Sequence, residues 1–230
     1  MVSRLSAGPR NVVFGTWFLV SLPIFLIEGF AFLLTNADVL MVGAYLQPDD
    51  VAVYFATVKT LALVHFVYFA VKAGVAQRYA SFTYSDPQGL AAFARETVSW
   101  TFWPSLLMAI VVLALGKPML FLFGPEYVRG FPLLFVLVAG VVARASVGPA
   151  ESLLTMSGYE KLCAFVYALT LALNVSLAIV LVPMLGLWGA ALATAVSMVF
   201  EAAALSFTVW RKLGIVMAIF IPAPAEKAVR

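Results

Sequence analysis

Six ionisable side chains interrupt long apolar runs of the chain: Glu28, Asp38, Lys59, Arg144, Glu151 and Glu201, with the single histidine, His65, close by. In lipid, such groups are costly unless they face protein or a water-filled cavity, so each is a candidate for function. Asp38 is the most conspicuous. It sits beside Thr35 and Asn36 inside an apolar run that reaches from Val12 to Leu46.

Depth and helical phase group these residues. At 1.5 Å per residue, Asp38 lies roughly 12 Å below Leu46, and Lys59 lies at a similar depth below Val51 on the next antiparallel helix. An Asp38–Lys59 pair is therefore feasible, either as a switchable substrate-binding pair or as a fixed ion pair that aligns two helices. Glu28 and Thr35 are seven residues apart and share a face, and Asp38 continues that polar stripe. Arg144, Gly148 and Glu151 share a second face. The Gly148-Pro149 pair within it is expected to break a backbone hydrogen bond and expose a carbonyl. Thr194, Ser197, Glu201 and Thr208 form a third stripe, which places Glu201 at about the depth of Arg144.

A cation at mid-membrane offers a contact for phosphate or sugar, and Arg144 and Lys59 are the candidates for it. The competing reading of Arg144 is neutralisation of Glu151 or Glu201 inside the bundle. For Asp38, Glu28, Glu151 and Glu201 the choices are ion coupling or internal ion pairing. His65, on an aromatic-rich face with Phe66, Tyr68 and Phe69, is either a proton-coupling group or a hydrogen-bonded helix contact. With one cysteine, Cys163, and one histidine, no metal site, disulfide or cofactor is expected. Asp49-Asp50 falls in a short turn, so the residues for catalysis are lacking and an enzyme is not expected.

These side chains need membrane helices to position them. The chain of 230 residues is 64% hydrophobic and only 11% charged, with a mean hydropathy of +1.05. A water-soluble domain carries about 25% charged residues, so the composition is that of a membrane protein. Six segments are long and apolar enough to span: 13–46, 51–78, 98–123, 131–157, 161–183 and 187–210. The first contains Pro23 and exceeds the length a bilayer needs, so tilt, a kink or projection past the bilayer is expected. Asp86 and Pro87 supply an N-cap and a first-turn proline for a short amphipathic helix reaching Arg95, expected to lie at the interface before the third span. The small-residue run Gly189, Ala190, Ala191, Ala193 and Ala195 should allow close helix packing. Asn174 and Thr170 suit interhelical hydrogen bonding, and the tryptophans near span ends (Trp17, Trp100, Trp103, Trp188, Trp210) suit an interfacial belt.

Ten Lys and Arg residues fall on one side of these spans and two, Lys117 and Arg129, on the other. That asymmetry places both termini in the cytoplasm. The organisation expected is a cytoplasmic segment at 1–11, a six-helix bundle at 12–211 and a cytoplasmic tail at 212–230. The apolar stretch 215–221 is too short to span, and Pro222-Ala223-Pro224 after it reads as an ordinary cytoplasmic end. The net charge of +3 does not imply a nucleic-acid partner.

Three local sequences resemble a known family. They are residues 36–43 followed by 51–56; residues 151–158, closing on Gly158 before Lys161; and, most specifically, Asn174 with residues 181–195, which include Pro183, Gly186, Trp188 and Gly189. Together they resemble the second half of bacterial polysaccharide-repeat flippases of the multidrug/oligosaccharidyl-lipid/polysaccharide exporter superfamily. The resemblance runs from about Trp17 to Arg211 and covers one six-helix bundle of a two-bundle fold. It implies an all-α membrane protein that moves lipid-linked oligosaccharide across a bacterial inner membrane during surface-polysaccharide synthesis. Its half length implies a truncated or split gene product, or pairing with a second six-helix bundle. The alternative within the superfamily is a cation-coupled drug exporter using Asp38 or Glu28.

Overall fold

The computed structural model describes residues 14–219, and these are helical with no strand among them. The segment 1–11, the Trp17 side chain and the residues from 220 onward, with Pro222 and Pro224, lie outside the described residues. The helices are α1 (Phe14–Tyr45), α2 (Pro48–Ser85), α3 (Pro87–Phe121), α4 (Phe131–Ala145), α5 (Ala150–Met156), α6 (Glu160–Leu185) and α7 (Leu187–Leu213). A short 3-10 turn, Pro125–Gly130, leads into α4. Among the described residues, six segments are long and apolar enough to cross a membrane, as expected, and the fourth of them contains the break between α4 and α5.

The starts of the helices follow from local chemistry. Pro48 opens α2 where its missing N–H costs nothing, with Asp49 and Asp50 complementing the helix dipole in the first turn. Asp86 caps α3 by accepting from the Gly89 amide at 2.9 Å. The α6–α7 connection is the single residue Gly186, at φ 59° and ψ −132°, a conformation that side chains disfavour. Gly189 then lets α7 lie against the end of α6. A β-carbon there would come within 2.0 Å of the Leu181 carbonyl oxygen.

One expectation needs correction. No separate interfacial helix precedes the third span, because α3 runs unbroken from Pro87 to Phe121. Leu90, Phe93 and Ala94, which were to have floated on the membrane surface, are buried. Phe93 packs its ring on Tyr79 and Phe82 of α2. The apolar side of the amphipathic stretch is thus covered by protein rather than by lipid, and α2 and α3 form one long hairpin.

Helix packing is not sequential throughout. The hairpins α2–α3 and α6–α7 pack as neighbours, but α1 packs mainly on α6, and α4 on α7. The contact of α1 with α2 is slight. Buried apolar side chains form two clusters. One, with Tyr54, Leu61, Leu134 and Leu137, lies toward the Leu46–Gln47 turn. The other, with Tyr79, Phe93, Leu153 and Tyr167, lies toward the opposite end. The latter cluster includes Ile215 and Met217 beyond α7, so the start of the tail is folded onto the bundle rather than extending from it.

Candidate functional site

The loosely joined α1 and α2, together with α4, α5, α6 and α7, enclose a cavity of about 110 Å³ lined by all seven singled-out residues. A volume of that order holds a handful of waters. Its polar groups form two layers. Counting helix rise from the Leu46–Gln47 and Gly186 turns, one layer lies roughly 10 Å in and the other begins roughly 20 Å in and reaches roughly 35 Å at Lys72.

The shallower layer is built on Asp38, 2% exposed. Its Oδ2 accepts from Tyr54 Oη on α2 at 3.0 Å and from Thr194 Oγ1 on α7 at 3.3 Å. Its Oδ1 accepts from the Val39 amide at 2.8 Å. No cation lies within ion-pair distance of Asp38 among the described residues. The Asp38–Lys59 pair that depth made feasible does not form. Lys59 is exposed, with its Nζ 4.9 Å from the centre of the Phe55 ring. Tyr54 and Lys59 are five residues apart, about 140° round α2, so the turn of helix that presents Tyr54 to Asp38 carries Lys59 aside. Lys59 still lines the cavity. Nearby, Asn174 is buried and its Oδ1 has no hydrogen-bond partner among the described residues, while Thr170 bonds back to the Val166 carbonyl at 2.9 Å.

The deeper layer is an ionic network. Arg144 Nη2 lies 2.9 Å from Glu201 Oε1 and 3.6 Å from Glu151 Oε2, and it donates to Tyr167 Oη at 3.1 Å. The Arg144–Glu201 contact is close without hydrogen-bond alignment, and Arg144 Nε is also unpartnered among the described residues. The guanidinium stacks over the Tyr68 ring, 4.6 Å from its centre. Tyr167 donates to Glu151, whose other oxygen holds the Lys72 ammonium. Lys72 reaches on to Glu28 at 3.1 Å. Glu28 is 62% exposed, so that end of the network is open. His65 lines the cavity near Arg144 and is half-buried.

The helix break places the two central charges. At Gly148-Pro149, where only a lost backbone hydrogen bond was expected, the chain leaves helical geometry altogether, with Gly148 at φ 60°. Arg144 is in the last turn of α4 and Glu151 in the first turn of α5. Negative charge at the α5 N-terminus and positive charge at the α4 C-terminus each suit the local dipole.

Sequence spacing located Glu28, Arg144, Glu151 and Glu201, which the structure joins through Lys72. Lys72 itself was missed as a site residue, because its position near the end of a span groups it with the interfacial cations. A signal was present: His65, Tyr68 and Lys72 are spaced three and four apart and share one helix face. Tyr54 and Tyr167 left no comparable trace, since a lone tyrosine in an apolar run reads as packing. Neither the models of known protein families nor the curated proteins give a match to this sequence.

Proposed function

We propose that the chain is one six-helix half of a translocase for lipid-linked oligosaccharide, working in a bacterial inner membrane with both termini in the cytoplasm. The observation that carries this reading is the cavity within the bundle, lined by Lys59, Lys72 and Arg144. A lipid diphosphate headgroup must shed water to cross, and buried or half-buried cations replace that hydration. Lys59 has no carboxylate within ion-pair distance among the described residues and offers the first contact. Arg144 and Lys72 are held by Glu151, Glu201 and Glu28, and exchanging those carboxylates for phosphate oxygens would release the network. A cavity of this size takes only the headgroup contact, so a second six-helix bundle, another copy or a separately encoded half, completes the path. The Lys/Arg asymmetry supports the orientation even with Lys72 withdrawn from the count, because Lys72 is paired inside the bundle.

The test is replacement of Lys59 and of Arg144 by Gln in a strain whose surface glycan depends on this gene. Loss of glycan with the protein still present in the membrane is the expected outcome. Normal output from both variants rules the reading out.

A second reading, cation-coupled export of a small molecule, draws on Asp38. A buried carboxylate with only neutral partners, in a cavity also lined by Asn174, whose carbonyl oxygen is unpartnered among the described residues, suits exchange of a proton or a monovalent cation. Dye efflux that collapses with the ion gradient and disappears in Asp38→Asn, with surface glycan unaffected, would favour it.

A further inference from the structure

The stretch after α7 is apolar but too short to span, and its place in the structure gives that apolarity a use. Gly214, at φ 68°, ends α7 in the left-handed conformation and turns the chain back. Ile215 and Met217 then insert into the cluster that holds Tyr79, Leu153 and Tyr167, with Met217 fully buried. Ser206 on α7 donates to the Met217 carbonyl at 2.9 Å. The segment finishes at the α4–α5 break, where the Ile219 amide donates to the Ser146 carbonyl at 3.0 Å.

That carbonyl is available for a specific reason. In a continuous helix Ser146 O would accept from the Ala150 amide, but Ala150 N turns to Gly148 O instead, at 2.9 Å. Pro149 has no N–H to offer. The break therefore frees one acceptor, and residues 214–219 take it. The same break separates Arg144 from Glu151 by a few residues, so bending there changes the distance between the two charges at the centre of the deeper layer.

We propose that residues 214–219 form a latch on the α4–α5 break, holding α5 against α4 and so keeping Arg144 and Glu151 in contact. Release of the latch frees the break to bend and opens the deeper ionic layer, while α6 and α7 stay packed. This device rests on the geometry of the break and not on any transported substrate, so its failure leaves the functional reading standing.

Hydrogen–deuterium exchange on the purified full chain in lipid nanodiscs tests it with two variants. Ile219→Pro removes the donor to Ser146 together with the Ile219 side chain that packs on the cluster; Met217→Asp expels the buried side chain. Both are expected to raise exchange across 146–157 severalfold while residues 187–205 keep wild-type protection, with the larger rise in Met217→Asp. Unchanged exchange at 146–157 in Ile219→Pro overturns the proposal. So does a rise of equal size at 187–205, which marks general loosening of the bundle.

Discussion

Asp38 and Glu201 line one cavity and are buried to 2% and 3% exposure, yet their charges are accommodated by different means. Asp38 is held by a phenol, a hydroxyl and a backbone amide, all neutral. Glu201 faces Arg144 in a network of three carboxylates and two cations. A neutral cradle leaves the carboxylate free to take or release a small cation without breaking an ion pair. A network fixes its members, because removing one strands the others in a low-dielectric site. The difference is one of mutual dependence: Asp38 is held by separate neutral donors, whereas the members of the deep layer depend on one another.

The strongest way to break this contrast is Arg144→Leu, which leaves Glu151 and Glu201 short of their shared cation. A loss of about 3–5 kcal/mol is expected for stranding a buried charge. It is read as a large fall in the thermal midpoint of the detergent-purified protein. Adding Glu201→Gln to Arg144→Leu should recover a substantial part of that loss. A single variant as stable as wild type would mean that the deep layer is not a mutually dependent network.

Tyr54→Phe probes the shallow layer. It removes one of three donors to Asp38 and is expected to cost about 1–3 kcal/mol, the penalty of leaving a buried acceptor less satisfied. The same thermal assay measures it. A loss as large as that of Arg144→Leu would erase the distinction between the layers.

The smallest effect belongs to Asp38→Asn. The amide oxygen can still accept from Tyr54 and Thr194, its nitrogen gives up the bond from the Val39 amide, and removing a buried charge offsets that loss. Stability should stay within about 1 kcal/mol of wild type. Any dependence of the thermal midpoint on sodium or on proton concentration that maps to this cavity should vanish with it. A midpoint that falls as far as in Tyr54→Phe would show that the negative charge itself supports the fold.

Hydrophobic run length alone sets the six apolar segments, because a bilayer core demands about 20 apolar residues per crossing whatever surrounds them. Gly148-Pro149 likewise announced a lost backbone hydrogen bond, since that depends on backbone chemistry that one residue carries. The costly side chains were legible for the same reason: a charge in an apolar run stands out in one dimension. Their partners were not. Which helix lies beside which, and how each is rotated, depends on packing between segments distant in the chain, as with α1 on α6 and α4 on α7. Equal depth suggested that Asp38 meets Lys59, but rotation of α2 gave Asp38 to Tyr54 instead. Lys72 was drawn from the interfacial set into the network by Glu28 and Glu151 on two other helices. The amphipathic stretch before the third span looked suited to a membrane surface until the end of α2 covered it. The sequence by itself determined how many times this chain can cross and which polar groups must be accounted for on the way. Only the tertiary structure decided how each is satisfied, because that depends on lateral neighbours and helix rotation, which no single helix encodes.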